Sequence, residues 1–167
     1  MVILSVGHRN PPIAQHEAPM KLHQLSLFLE NQPGALKIPC EVLAQAGINL
    51  LALTLADTQE FGILRIIVKD WERARKTLTD AGLLVKVTEV VAIDVPQEPG
   101  GLLRVLEILD RARQAIEYMY AFAPGAEQGG HAALVFRFGD PDAAIKALTQ
   151  SGISAVAAAE LFERMNA

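Results

Sequence analysis

The feature of this sequence that most constrains its fold is an internal repeat. The segment 32–36 reads Gln-Pro-Gly-Ala-Leu, and the segment 98–102, at an offset of 66 residues, reads Glu-Pro-Gly-Gly-Leu. Towards the end of each copy the offset is 70 residues, so four residues are inserted near the Gly-rich stretch 124–130. A period of about 70 residues exceeds that of solenoid repeats and suits a small domain. The chain is therefore predicted to contain two copies of one domain.

The hydrophobic pattern of the first copy predicts the order of its helices and strands. Leu25, Leu27 and Leu29 recur at every second position, which is the period of a strand with one buried face. After the Pro-Gly turn, apolar residues spaced by three and four positions indicate a helix that ends at Gly47. The predicted strands are 24–29, 48–55, 61–68 and 83–87, and the predicted helices are 36–47 and 70–82.

The second copy predicts the same order. Asp140 followed by Pro141 is a strong helix start, because aspartate caps a helix and proline suits its first position. The predicted strands are 91–95, 116–122, 132–138 and 153–156, and the tail 157–165 is predicted to be a short helix. We therefore predict an α+β fold of two tandem ferredoxin-like βαββαβ domains, with antiparallel sheets and helices on one face.

The predicted domain boundaries follow from the repeat. Residues 1–19 are rich in proline and resemble neither copy. We expect either that Met20 is the natural start, so that these residues are non-native, or that they form a disordered or loosely docked arm. The first domain is predicted to span 20–88 and the second 89–167.

The middle strands of the first copy are apolar at both odd and even positions, as in the run Ile63–Val68. A lone antiparallel sheet with helices on one face usually has a polar second face. Large exposed apolar patches usually mark interfaces. We therefore expect the two domains to pair and the chain to form a homodimer.

Composition excludes several classes of function. The net charge of −4 and the aromatic content of 5% do not fit the basic, aromatic footprint of nucleic-acid binders. No apolar run reaches the length of a membrane span. The single cysteine, Cys40, allows no internal disulfide and no zinc site of several thiolates. We expect a cytoplasmic protein that binds no nucleic acid, membrane, metal or cofactor.

The sequence offers few groups for catalysis. Cys40 falls on the apolar face of a predicted helix, and His23 and His131 each begin a strand without a partner at ligand spacing. A ferredoxin-like hydrolase such as an acylphosphatase needs an arginine in a phosphate-binding loop, which neither Pro-Gly loop supplies. Tyr118 and Tyr120 share one strand face and are predicted to pack, with pocket lining as the alternative. We expect that the chain is not an enzyme.

The segments Leu27–Leu36 and Ala44–Leu50 resemble the ACT domain, a ligand-sensing module of amino-acid metabolism. They are similar to its strand, its Asn/Asp-x-Pro-Gly turn, its helix and its Ala-Gly-Ile-Asn exit. Through the two copies the resemblance covers residues 21 to about 160. The second copy departs from the pattern at Arg113–Ala115, which replaces the Gly-Ile-Asn of the first copy.

This resemblance implies a regulatory sensor that binds a free amino acid at domain interfaces. A helix N-terminus suits the ligand's carboxylate, and Gly34 lets backbone N–H groups approach it. The resemblance implies as ligand-binding residues Asn31, Gln32, Pro33, Gly34, Ala35, Leu36, Ile48 and Asn49 in the first copy, and Glu98, Gly100, Gly101 and Leu102 in the second.

Two alternatives remain at this point. The Pro-Gly loops can be simple turns, with Asn31 a helix cap and Asn49 a turn residue. The chain would then be a ligand-free dimerisation module that docks on a metabolic enzyme.

Pro39 lies inside the first predicted helix, where we expect a kink or a late helix start.

Overall fold

A computed structural model describes residues 20–57, 61–122 and 130–164. The predicted arm 1–19 and the inserted loop around 124–129 lie outside these described residues. The elements are β1 (Lys21–Glu30), α1 (Lys37–Gln45), β2 (Ala52–Asp57), β3 (Phe61–Ile67), α2 (Trp71–Asp80), β4 (Val85–Pro96), α3 (Gly101–Arg111), β5 (Ile116–Phe122), β6 (His131–Phe138), α4 (Pro141–Gln150) and α5 (Ala158–Arg164).

The described strands form one antiparallel sheet in the order β2-β3-β1-β4-β6-β5. This arrangement confirms the predicted α+β fold with a repeated ferredoxin-like pattern. The repeats meet in β4, whose 12 residues serve both of them. Its first half pairs with β1, from Val85 to Val91, and its second half pairs with β6, from Val91 to Pro96. The predicted boundary between residues 88 and 89 therefore lies inside one continuous strand.

Two predicted strands are shorter in the structure. Strand β2 begins at Ala52, so the run 48–51 leads into it as irregular backbone. The predicted last strand, 153–156, makes a single bridge between Ala155 and Ile93. Since β1 already occupies this side of β4 as far as Val91, only the remaining end of β4 is open to the closing segment.

Four helices cover one face of the sheet. On β4, Val87 packs with the core under α1 and α2, and Ile93 packs with the core under α3 and α4. These two residues are six positions apart and share one face of the strand. Helices α2 and α4 begin as predicted, because the side chains of Asp70 and Asp140 accept hydrogen bonds from the backbone N–H groups of Arg73 and Ala143. All four helices thus lie on the predicted side.

The tail helix α5, which lies outside the two βαββαβ patterns, packs on the opposite face of the sheet. Leu161 is buried there, and Phe162 packs beside it. They contact apolar residues from both repeats, namely Leu22, Val90, Ala92 and Val135. Part of the apolar second face is therefore covered within the chain.

Beyond α5, the rest of this second face carries no helix among the described residues, and we call it the helix-free face. The Gln24 side chain of β1 donates a hydrogen bond to the Tyr118 hydroxyl of β5 over 2.8 Å. Two strands, β4 and β6, separate β1 from β5. In a flat sheet these strands would be about 14 Å apart. The sheet must therefore bend towards its helix-free face.

Candidate functional site

The first helix of each repeat differs from the second helix at its N-terminus. Neither Leu36, before α1, nor Gly100, before α3, gives its helix a side-chain cap. Asp70 and Asp140 cap α2 and α4. A helix N-terminus has N–H groups without intrahelical partners and a partial positive charge. Among these four helices, α1 and α3 therefore have room for an anion at this end.

The N-terminus of α3 offers more donors than that of α1. The backbone N–H groups of Leu102 and Leu103 have no acceptor within the described parts of the chain. In α1 the corresponding positions are Ile38 and Pro39, and proline has no N–H group. The second repeat thus provides two adjacent N–H groups where the first provides one.

The predicted site residues of the first loop are mostly exposed. Gln32 donates a hydrogen bond to the carboxylate of Glu30 over 2.9 Å, and Gly34 has a φ of +88°. The side-chain oxygen of Asn31 lies close to Gly62 of β3, since a Cβ on that glycine would be 3.1 Å from it. Pro33 and Leu36 are exposed as well, while Ala35 packs partly against the first core. This loop is an open turn on the surface.

The other two predicted residues of the first repeat lie at the far end of α1. Ile48 packs against the first core, and Asn49 is exposed. With 9 residues, α1 is about 14 Å long, so its two ends do not form one site within the chain. Joining them into one site requires an interface with another chain.

The predicted residues of the second loop have distinct roles. The carboxylate of Glu98 pairs with the Arg104 guanidinium at 2.6 Å. Gly100 has a φ of +87°, which a residue with a side chain rarely adopts. Gly101 is buried, and a Cβ there would lie 2.1 Å from the Pro96 carbonyl oxygen. Gly101 therefore allows α3 to approach the end of β4, while Leu102 supplies a free N–H group.

A cavity of about 460 Å³ lies beside Gly101. Sequence reasoning did not assign Asp94, Arg104 or Ser154, three of its polar residues; the other two are His131 and Glu160. Arg104 is three positions after Gly101, one turn into the helix, so helical periodicity could have indicated it. Asp94 and Ser154 come together only through the closing segment. The remaining lining residues are Pro96, Val105, Gly152, Ile153, Ala155 and Val156.

A second cavity, of about 400 Å³, lies on the helix-free face. Two of its lining residues, Ser26 and Tyr118, belong to a polar network around Gln24, which is fully buried beneath them. Gln24 donates to the hydroxyls of Ser26 and Tyr118 over 3.1 and 2.8 Å and accepts a hydrogen bond from Tyr120 over 3.0 Å. Burial raises the pKa of the Tyr120 hydroxyl well above its ordinary value. Tyr118 lines this cavity, which was the alternative considered for it from the sequence.

Comparison with known proteins identifies the family. The sequence profile of the ACT domain pair matches residues 20–165. The chain belongs to this family, which confirms the resemblance found in its Pro-Gly loops. A search of curated protein sequences found no significant match.

Solved structures agree with this assignment. Protein BT0572 from Bacteroides thetaiotaomicron is 42% identical, with a TM-score of 0.79 over 86% of this chain and 97% of that one. The regulatory subunits of aspartate kinase from Thermus thermophilus and Thermus flavus are each 15% identical, with TM-scores of 0.55 and 0.57. The matches cover 78% and 80% of this chain and 92% and 94% of the Thermus chains, and they show a shared fold. No helix in the described residues is long and apolar enough to span a membrane.

Proposed function

We propose that this protein is a regulatory sensor that binds a free amino acid and has no catalytic role of its own. The observation that carries the proposal is the uncapped N-terminus of α3 beside a cavity that contains both Asp94 and Arg104. An amino acid carries a carboxylate and an ammonium group, so a site for it needs donors and an acceptor a short distance apart. Membership of the ACT domain pair family supports this assignment.

The ligand's carboxylate would bind the N–H groups of Leu102 and Leu103, assisted by Arg104. A carboxylate at a helix N-terminus is favoured by the helix dipole and by hydrogen bonds from the first turn. Arg104 now pairs with Glu98, and both side chains are more than half exposed. Exposed pairs of this kind contribute little, so a ligand carboxylate can replace Glu98 at small cost. Asp94 would receive the ammonium group.

The first loop would complete a second amino-acid site in a homodimer. Strand β2 is at one edge of the sheet, and its Leu53 and Leu55 side chains are 55% and 50% exposed. An open edge with apolar side chains is a template for pairing with another chain. Pairing there would bring the Asn31–Leu36 loop of one chain towards the Ile48–Asn49 segment of its partner.

A regulated enzyme is the expected partner of this sensor. The Thermus proteins that share the fold are described as regulatory subunits of aspartate kinase. We propose by analogy that the present chain acts on an enzyme of amino-acid metabolism. Among the described strands β2 lies at an edge, and this position also supports a second candidate function, that of a ligand-free docking module.

A thermal-shift panel with each of the twenty amino acids at millimolar concentration tests the proposal. A ligand at 100 times its dissociation constant stabilises the folded state by about 2.7 kcal/mol, which raises the melting temperature by several degrees. Arg104→Gln should abolish the shift if the second loop binds, and Gly34→Asp should abolish it if the first loop binds. Lys76→Gln, on the exposed face of α2, is the matched control. A panel without any shift, from a folded dimer, would favour the docking module.

A further inference from the structure

Two cations flank a buried hydroxyl in one row across the helix-free face. Ser26 of β1 is opposite Arg65 of β3 on one side and opposite Lys86 of β4 on the other. Directly opposed residues share a face of the sheet, and neighbouring strands are about 4.8 Å apart. All three residues line the 400 Å³ cavity on this face. The row therefore places positive charge on both sides of one hydrogen-bonding group.

The positive charge of this row is not neutralised within the described chain. Two carboxylates also line the cavity, and both already have partners: Glu117 pairs with Arg137, another lining residue, at 3.5 Å, and Glu89 pairs with Lys21 at 3.3 Å. The guanidinium carbon of Arg65 lies 4.2 Å from the centre of the Tyr118 ring. Neither Arg65 nor Lys86 has a carboxylate within ion-pair distance among the described residues. The cavity can therefore accept a negative charge.

The floor of the cavity presents two hydroxyl donors in fixed positions. Ser26 is 94% buried, since its relative exposure is 6%. The oxygen atoms of Ser26 and Tyr118 both accept hydrogen bonds from the Gln24 amide. Each hydroxyl therefore has its own proton left to donate, and the described residues provide no acceptor for either. Both donors, the buried one of Ser26 and the partly buried one of Tyr118, are available to a bound acceptor.

The remaining walls limit the size and character of a ligand. Phe28, Ile63 and Val87 make part of the lining apolar, and Phe28 is 47% exposed. A cavity of about 400 Å³ holds a molecule of metabolite size. We propose that this cavity is a separate site for a small organic anion, held through a carboxylate or phosphate group by Arg65, Lys86 and the hydroxyls of Ser26 and Tyr118.

The two tyrosines of the chain are Tyr118 and Tyr120, so the tyrosine signal reports on this cavity directly. The experiment titrates the full chain with glutarate, and separately with inorganic phosphate, and follows the near-ultraviolet difference spectrum of tyrosine together with calorimetric heat. We expect saturable binding of at least one probe. Glutarate binding alone identifies a carboxylate ligand, and phosphate binding alone identifies a phosphorylated one.

Variants locate the binding. Lys86→Gln changes an exposed side chain and should weaken binding several-fold without affecting folding. Arg65→Gln should weaken it by about tenfold or more, because it removes a charged hydrogen-bond donor. Lys146→Gln, an exposed lysine of α4, should bind as the wild type does. The proposal is wrong if neither probe saturates at millimolar concentration, or if Lys86→Gln binds as tightly as the wild type.

This site does not depend on the proposed amino-acid sensor. Lys86→Gln should leave any thermal shift by amino acids unchanged, and Arg104→Gln should leave binding of the anion unchanged. Loss of one response without the other therefore shows which of the two proposals has failed.

Discussion

The Pro-Gly motifs of the two repeats, residues 32–36 and 98–102, are nearly the same in sequence, yet the loops that they form are different. The first is an exposed turn, and α1 begins only at Lys37. The second leads at once into α3, which begins at Gly101 and lies beside a cavity. By the repeat offset of 66 residues, Gly101 corresponds to Ala35, so α3 starts two positions earlier.

Pro39 explains why α1 starts late. If α1 began at Ala35, Pro39 would be the fifth helical residue, where it lacks a needed N–H group and clashes with the preceding turn. Starting at Lys37 places Pro39 third, in the first turn, where proline is tolerated. The sequence indicated a kink or a late start at Pro39, and the structure shows the late start. A shared motif therefore does not guarantee a shared binding surface, because residues after it decide where the helix begins.

The largest effect that tests this comparison is expected from Gly101→Ala. Its Cβ would lie 2.1 Å from the Pro96 carbonyl oxygen, so α3 must move. Overpacking against the backbone should cost about 3 kcal/mol of unfolding free energy, measured by urea denaturation. The matched control, Ala35→Gly, should cost no more than about 1 kcal/mol. Equal losses in the two variants would show that the loops are built alike.

The outer strands provide the next largest effect. Tyr120 of β5 is the counterpart of Thr54 in β2. Tyr120 lies opposite Val135 and Thr54 lies opposite Arg65, and Val135 and Arg65 are themselves equivalent positions in the two repeats. Tyr120→Phe removes the hydrogen bond to the buried Gln24 oxygen and should cost about 2 kcal/mol in urea denaturation. Thr54→Val should change the unfolding free energy much less. If Tyr120→Phe left the unfolding free energy unchanged, the Gln24 network would not stabilise the fold.

The same hydroxyl gives the unfolding free energy a dependence on alkaline pH. Burial raises the pKa of Tyr120 above the ordinary value of 10.0, so above that pH the folded state keeps a proton that the unfolded state releases. The associated stability is fully present below pH 10 and is lost as the pH rises towards the folded pKa. Tyr120→Phe should reduce this loss.

Removing a helix cap should have a smaller effect. Asp140→Ala deletes the side chain that accepts the Ala143 N–H at 3.0 Å and should lower the unfolding free energy by about 1 kcal/mol. Gln150→Ala, at the exposed end of the same helix, is the control. Amino-acid binding should persist in both variants. Loss of amino-acid binding in Asp140→Ala would place the ligand at α4. It would contradict the proposal that the ligand binds at an uncapped helix N-terminus.

The smallest effects are expected at the exits of α1 and α3. Gly47 has a φ of +66°, and Arg113, its counterpart, has a φ of +55°. The second repeat thus keeps a left-handed backbone despite its arginine, which strains a residue with a side chain. Arg113→Gly should stabilise the protein by about 0.5 to 1 kcal/mol, and Gly47→Ala should destabilise it by a similar amount. Chemical denaturation that gave changes of the same sign would refute the equivalence of the two exits.

Much of the fold followed from local patterns, but only part of the candidate sites did. Asp70 and Asp140 were identifiable as caps because a cap acts on N–H groups only three residues away. Gly101 was assigned to a binding loop from its motif, although its contact with Pro96 became evident only in the folded chain. Arg65 received no role from the sequence, because no local pattern distinguishes an arginine beside a cavity from one on a solvated strand.

By itself the sequence determined the two repeats, the order of most elements, the irregularity that Pro39 imposes on the first helix and membership of the ACT domain pair family. Each of these depends on periodicity, capping or turn chemistry within a few neighbouring residues. The tertiary structure alone decided that β4 joins both repeats in one sheet and that this sheet bends far enough to bring Gln24 to Tyr118, 94 residues away. Such contacts depend on how strands pair and twist together, which no local stretch of sequence specifies.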